Sequence, residues 1–171
     1  MDDIEQTKAA FASSRIDMAK FILVMVFLIE QRWSYYIGKD LEEDGITTKQ
    51  WLMALVIANG FKHAPSIQEV ADAMSTTHQN VKQIASGMER QGLMRLERDE
   101  KNKRIIRLRV TEHCFRLFKS REEGDVRAVL SMFENISDDE LRALFNVIAK
   151  MEHRADELYE GAKAMRKAKE C

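Results

Sequence analysis

The apolar positions of this chain follow the 3.6-residue period of the α-helix over most of its length. This spacing predicts helices over about 4–37, 48–60, 67–74, 77–91, 112–133 and from 138 towards the C-terminus. Between them we expect a loop over about 40–45 and a turn at 63–65. Between the fourth and fifth helices the period changes to two, which predicts strands over about 93–98 and 104–110. The predicted fold class is therefore mainly α with a small β-hairpin.

Four of the predicted helices begin with the pattern Ser/Thr-x-x-Glu/Gln, at Thr47–Gln50, Ser66–Glu69, Thr76–Gln79 and Ser137–Glu140. In such a capping box the hydroxyl accepts an otherwise unpaired helix amide, and the side chain three residues later accepts the amide of the capping residue. One box alone often arises by chance. Four boxes that each open an apolar-periodic segment support the predicted helix starts.

The third and fourth helices have the pattern of a helix-turn-helix. Each has one apolar stripe at the spacing i, i+3, i+4, i+7, formed by Ile67, Val70, Ala71 and Met74 and by Val81, Ile84, Ala85 and Met88. The two alanines allow the helices to approach closely, and the stripes fall on the core positions of that motif. Ser75 stands at the turn position where Gly is usual. An ordinary helical hairpin would explain the stripes equally well, so the opposite face must decide.

The face of the fourth helix opposite its apolar stripe contains amides, a hydroxyl and cations, and no carboxylate: Gln79, Lys82, Gln83, Ser86 and Arg90. An amide can bond two atoms of the adenine edge in the major groove, and Lys or Arg can reach guanine or phosphate. We expect this helix to read bases through Gln79 and Gln83, together with Thr77 and His78 at its N-terminal end. A plain solvated face is the alternative.

The predicted hairpin has the features of a DNA-contacting wing. Arg95, Arg107 and Arg109 alternate with apolar residues and so share one face, and the polar connection between the strands adds Lys101, Lys103 and Arg104. A cation at the tip of such a hairpin can enter a narrow minor groove, where the potential is most negative. An exposed hairpin without a ligand is the alternative, but it would not need three arginines on one face.

The distribution of charge agrees with a localised anion-binding surface. The whole chain has a formal net charge of −1, but residues 78–109 carry nine basic and four acidic side chains, a net of +5. Two cysteines exclude a disulfide scaffold, and dispersed histidines favour neither a metal site nor a cofactor. The longest apolar run, Phe21–Ile29, is too short to span a bilayer, and we expect a cytoplasmic protein.

The last helix predicts a contact with a second copy of the chain. Its apolar residues recur at spacings of three and four for more than three heptads, at Leu141, Leu144, Ile148, Met151, Ala155, Leu158, Ala162 and Met165. The first helix is apolar on most sides from Phe21 to Ile29 and needs more cover than one small domain supplies. We therefore expect a homodimer; packing of both helices within their own chain is the alternative.

At this point the sequence resembles the MarR family of bacterial winged helix-turn-helix transcription regulators. The resemblance is carried by Ile46–Trp51, Ser66–Met74, Met88–Met94, Asn102–Arg104 and Leu108–Glu112. It implies one MarR-like unit over 1–171, in which 46–111 form the DNA-binding region and 1–45 with 112–171 form the dimerisation region.

The same resemblance implies a homodimeric repressor that reads a pseudo-palindromic operator and is relieved by a small-molecule ligand or an oxidant. It places Arg104 in the minor groove, but Asn102 stands where the family has an orienting Asp. Cys114 stands where the family usually has Gly, and a packed structural thiol is the expected role. No ligand-binding residue can be carried over, because these sites vary within the family.

Two other classes of function fit the sequence less well. An enzyme is not supported, since the sequence contains no Ser-x-x-Lys, Gly-x-Ser-x-Gly, His-x-x-x-His or Gly-rich phosphate-loop motif. A helical protein-interaction module without a DNA role remains the alternative, and binding to promoter DNA discriminates between it and a regulator.

Overall fold

The computed structural model describes residues 14–170 and confirms a mainly helical chain with one β-hairpin. Its elements in order are α1 (Arg15–Leu41), a 3₁₀ turn (Glu42–Asp44), α2 (Thr48–Gly60), α3 (Ile67–Ala73), α4 (His78–Arg90), β1 (Met94–Arg98), β2 (Ile106–Val110), α5 (Glu112–Met132) and α6 (Asp138–Glu170). The chain divides into two compact units, one up to Gly60 and one from Phe61 onwards. Each unit is described by itself.

In the first unit, α1 extends beyond its predicted end at residue 37. Its Ser14 cap accepts the amide of Asp17, and the helix continues to Leu41 because the Glu42 amide still bonds to the carbonyl of Gly38. The 3₁₀ turn occupies half of the predicted loop and is followed by Gly45, whose φ of 66° lies in the left-handed region. The predicted start of this helix at Ile4 lies outside the described residues.

The contact between α1 and α2 forms the core of the first unit. Thr47 and Gln50 complete the expected capping box, and the Thr48 hydroxyl donates to the carbonyl of Ser34 over 3.1 Å. Five apolar side chains are buried here, at Leu41, Ile46, Met53, Ala54 and Ile57. Much of α1 stays uncovered, and Phe27 remains 62% exposed.

The second unit is built around the packing of α3 against α4. Both predicted apolar stripes are buried apart from the half-buried Met74, and Ala71 and Ala85 have no exposed surface. Ser66 caps α3 in a complete capping box with Glu69, and Ser137 with Glu140 forms the same box at α6. The local signals for these helix starts were therefore correct.

The turn between α3 and α4 places Ser75 at φ 48°, a left-handed conformation. The amide of Ser75 donates to the carbonyl of Asp72, and the amide of Thr76 donates to the carbonyl of Ala71. These bonds close the end of α3 and reverse the chain within a few residues. The strained position is the one where helix-turn-helix sequences usually have Gly, which has no Cβ and tolerates positive φ.

The hairpin is antiparallel, with Arg95 opposite Arg109 and Glu97 opposite Arg107. It is joined to the segment before α3, because the Leu108 amide donates to the Pro65 carbonyl over 2.8 Å. Thr111 then caps α5 and donates its hydroxyl to the carbonyl of Gly92. The strands are shorter than predicted, since residues 104 and 105 belong to the turn.

Helix α6 contains 33 residues and is therefore about 50 Å long. Its predicted apolar seam remains exposed in the chain, including Ile148 at 48% and Leu158 at 58%. Near its C-terminal end, the Lys163 ammonium lies 2.9 Å from a carboxylate oxygen of Asp72 in α3. None of the helices in the described part of the chain is long and apolar enough to cross a membrane.

The left-handed turn gives a direct test of the fold. Ser75→Gly is expected to raise the free energy of unfolding by about 0.5–1 kcal/mol, because Gly removes the Cβ penalty at positive φ. Ser86→Gly, the same change inside α4, should lower it by about 0.5 kcal/mol. Urea denaturation of the two variants measures both values, and a loss of stability in both would show that Ser75 is not strained.

Candidate nucleic-acid interface

Helix α4 begins one residue later than its predicted capping box indicates. The cap is Thr77, whose hydroxyl accepts the amide of Asn80, and the Asn80 amide group donates to the Thr76 hydroxyl over 2.9 Å. The prediction of a Thr76–Gln79 box was therefore wrong, because two adjacent threonines compete for the cap and Asn80 favours the second. As a result, Gln79 is not used as a capping side chain.

The structure places the predicted base-reading residues together on the surface of α4. The side chains of Thr77, His78, Gln79, Lys82, Gln83 and Arg90 are exposed, and Ser86 is half-buried. The opposite face is packed, since Val81 and Ala85 have no exposed surface. The outer face thus presents hydrogen-bonding groups and positive charge, with its orientation fixed by the buried stripe.

The arginines of the hairpin share one face as expected, but they are not alone there. The register places Glu97 on the same face as Arg95, Arg107 and Arg109. The Arg109 side chain pairs with Glu97 over 3.3 Å and is 59% exposed. The sequence prediction named only the arginines of this face, although strand alternation already placed Glu97 there.

The tip of the hairpin is ordered by its own polar side chains. One carboxylate oxygen of Asp99 accepts the amides of Lys101 and Asn102, each over 2.9 Å. The Asn102 side chain in turn accepts the amide of Arg104 over 3.1 Å. Asn102, which replaces an expected Asp, therefore positions Arg104 through its backbone rather than through an ion pair.

Arg107 lies between the hairpin and α3. Its Nε donates to Asp99 over 2.8 Å, its Nη1 donates to Glu69 over 2.9 Å, and the same nitrogen lies 3.4 Å from the carbonyl oxygen of Ala64. Only 26% of the side chain is exposed. Sequence reasoning assigned Arg107 to DNA together with its neighbours and had no signal for a partner 38 positions away.

Both carboxylates of this network strongly favour the ionised form. The pKa of Asp99 is lowered from 3.8 to about 2, first by the hydrogen bond from Arg107 and then by the amide of Asn102. The pKa of Glu69 is lowered from 4.5 to about 2, first by the amide and hydroxyl of Ser66 and then by smaller contributions from His63 and Arg107. Both groups are therefore anionic at neutral pH.

The cations at the hairpin tip differ from those on the strands. Within the described residues, Lys101, Lys103 and Arg104 make no ion pair, and their side chains are exposed. The carboxylate of Asp99 beside them is occupied by Arg107 and two amides. The tip therefore presents three charges that are available to an external anion.

The other candidate chemistry of the chain is limited. Cys114 is fully buried, and burial raises the pKa of its thiol to about 11, which keeps it protonated. Cys171 lies outside the described residues. In the part of the chain that the structure describes, no cluster of three or more His, Cys, Asp or Glu side chains is arranged to hold a metal ion.

The sequence of this region matches the model of a known protein family. Residues 44–105, which contain α2, the helix-turn-helix, β1 and the hairpin turn but end before β2, match the model of the MarR family. Among curated proteins, no sequence matches this chain significantly.

Solved structures show the same fold at low sequence identity. A MarR protein from Peptoclostridium difficile is similar with a TM-score of 0.74 at 15% identity, over 82% of this chain and 91% of the other. A MarR transcriptional regulator from Methanosarcina mazei has a TM-score of 0.72 at 19% identity, over 81% and 99%. MepR of S. aureus, solved as a complex with DNA, has a TM-score of 0.69 at 16% identity, over 78% and 97%.

The depressed pKa values predict how stability depends on pH. Because the folded-state pKa of Asp99 and that of Glu69 both lie near 2, their contribution is present above about pH 4.5 and is lost as the pH falls towards 2. Asp99→Asn keeps an oxygen for the two amides but removes the titration. It is expected to flatten the fall in the free energy of unfolding over this range, measured by urea denaturation at stepped pH.

The matched control is Glu100→Gln, which removes a neighbouring carboxylate that makes no ion pair within the described residues. If both variants flatten the pH dependence of the free energy of unfolding equally, the pairing of Asp99 with Arg107 does not contribute to the loss of stability in acid.

Proposed function

We propose that this chain is a MarR-family transcription regulator that binds duplex DNA with sequence specificity, and the match of residues 44–105 to the MarR family model supports this. One observation carries the proposal: the exposed, carboxylate-free face of α4 lies in the same unit as a hairpin whose tip presents three unpaired cations. MepR of S. aureus, a protein of the same fold, has been solved in complex with DNA, which supports the proposal.

In the proposed complex, α4 lies in the major groove with its N-terminal half at the base edges. Gln79 and Gln83 are spaced i, i+4, so they project from one face, and their amides suit the N6 and N7 atoms of adenine. Thr77 and His78 lie at the end of the helix that enters the groove. Lys82, Ser86 and Arg90 contact guanine or phosphate at the edges of this surface.

The hairpin acts as the wing. Arg104 enters the adjacent minor groove, because the tip holds its backbone while the side chain stays exposed. A narrow A·T-rich groove concentrates negative potential and favours an arginine there. Lys101 and Lys103 contact phosphates, and Arg95 and Arg109 add to the positive field.

The functional molecule that we propose is a homodimer formed by the regions 1–45 and 112–171. Large apolar side chains are exposed along both helices, including Phe27 at 62% on α1 and Phe145 at 73% on α6. Apolar surface of this extent is typical of a protein interface. Two DNA-binding regions, 46–111 of each copy, would then read a pseudo-palindromic operator.

We further propose that the protein represses transcription and that a small molecule relieves the repression. Oxidation of Cys114 is the less favoured trigger, since its buried, protonated thiol is a poor nucleophile. The regulator works without a catalytic group or cofactor, and the described residues do not identify its effector pocket.

Base reading is tested by selecting bound DNA from a random pool. The wild-type protein is expected to enrich a two-fold repeat, and Gln83→Ala to relax the preference at one position of each half-site by about 1–3 kcal/mol. Gln68→Ala on α3, whose amide bonds to Asp72 instead, is the matched control. An equal loss of affinity for all DNA sequences in Gln83→Ala would make Gln83 a phosphate contact. If the wild-type protein binds no DNA even at low salt, a protein-interaction module is favoured instead.

The dimer is tested by charge on α6. Ile148→Asp with Leu158→Asp places two carboxylates inside the exposed apolar seam and is expected to yield a folded monomer in sedimentation and circular dichroism. Asn146→Asp with His153→Asp places the same charges on the opposite face of the helix and should leave a dimer. A folded dimer from the first variant would mean that the seam is not the interface.

A further inference from the structure

Arg107 is held by two carboxylates from different parts of the unit. Its Nε bonds to Asp99 at the base of the hairpin tip, and its Nη1 bonds to Glu69 in the first turn of α3. Such charge-assisted bonds are stronger than neutral ones and fix the plane of the guanidinium. The side chain therefore bridges the wing and the first helix of the helix-turn-helix.

Both partners are themselves fixed by the backbone. Asp99 accepts the amides of Lys101 and Asn102, and Glu69 accepts the amide of Ser66 in the capping box. The backbone adds a bridge between Ser66 and Arg107, together with the bond from the Leu108 amide to the Pro65 carbonyl. The backbone thus holds both carboxylates in position for the guanidinium of Arg107.

The neighbouring Arg109 shows the contrast. It makes one ion pair of 3.3 Å with Glu97 and remains 59% exposed, whereas Arg107 makes ion pairs of 2.8 and 2.9 Å and is 26% exposed. One cation with two carboxylates carries a local charge of −1, which gives a phosphate no electrostatic reason to displace them. Arg107 is therefore the strand arginine least suited to contact DNA.

We propose that Arg107 is a positioning residue that fixes the wing on α3 and thereby sets where Arg104 meets the minor groove. The connection runs from Glu69 through Arg107 to Asp99, then through the amide of Asn102 to the backbone of Arg104. This inference rests on the proposed DNA binding and assigns Arg107 a different role from the DNA contact expected from sequence.

The test compares Arg107→Ala with Arg109→Ala, which removes the same charge from the same strand. Flank discrimination is the Kd on operators with G·C-rich flanks divided by the Kd on operators with A·T-rich flanks, and it measures minor-groove recognition. Arg104→Ala gives the value expected when this recognition is lost. Arg107→Ala is expected to lose at least half of the wild-type discrimination on a logarithmic scale. Arg109→Ala is expected to weaken binding to both operators alike, because Arg109 adds to the positive field, and should therefore keep the ratio within about twofold.

Salt dependence distinguishes a positioning role from a contact. Removing one phosphate contact from each copy of a dimer should shallow the log–log slope by about 1.8, which is the change expected for Lys103→Ala. Arg107→Ala should leave the slope close to that of the wild type. A slope that shallows by about 1.8, with flank discrimination intact, would overturn the proposal and make Arg107 a phosphate contact.

Two conservative variants test the network without removing Arg107. Glu69→Gln keeps the capping box, since Gln also serves at that position, and Asp99→Asn keeps the acceptor for the two amides. Both are expected to reduce flank discrimination in the same direction as Arg107→Ala. Unchanged discrimination in both variants would show that the wing is positioned without these ion pairs.

Hydrogen exchange of the free protein provides a readout that does not need DNA. The amides of Asp99 and Ile105, which bond within the hairpin turn, should exchange at least about tenfold faster in Arg107→Ala than in Arg109→Ala. Equal exchange in both variants would overturn the positioning role. Wild-type protein that binds no DNA while this difference persists would overturn the proposed function instead.

Discussion

The close packing of α3 against α4 is the constraint on which the rest of this structure depends. Ala71 and Ala85 are fully buried, so the two helix backbones approach closely, and the short turn requires the left-handed conformation of Ser75. Burial of one stripe of α4 determines which residues face outwards. The amides and cations of the outer face need no further structural element to orient them.

A second constraint follows from the charge balance. The chain is slightly acidic overall, yet the proposed DNA binding requires a positive surface, so the carboxylates near that surface have to be neutralised. Asp99 and Glu69 are engaged by Arg107 and by backbone amides, and Glu97 is engaged by Arg109. Arg107 therefore adds little to the positive potential outside the protein, while the cations of the hairpin tip remain available. Charge and geometry are set by the same side chains.

Most of the fold could be predicted from local patterns, and the failures have physical reasons. The capping boxes at Ser66 and Ser137 were sufficient, because the interacting groups lie three residues apart. At Thr76 and Thr77 two caps of similar quality compete, and the sequence alone does not rank them. The pairing of Glu69 with Arg107 joins residues far apart in the chain, so no periodicity reveals it. Base contacts and the dimer seam stay predictions.

The last helix connects the proposed dimer with the DNA-binding region. Lys163 of α6 lies 2.9 Å from Asp72 of α3, and an exposed ion pair of this kind contributes roughly 0.2–1 kcal/mol. The pair therefore shows that α6 lies close to α3, but it adds little to the free energy of unfolding. Because Arg107 joins α3 to the wing through Glu69, the same short helix contacts the wing through Glu69 and α6 through Asp72, three residues further along.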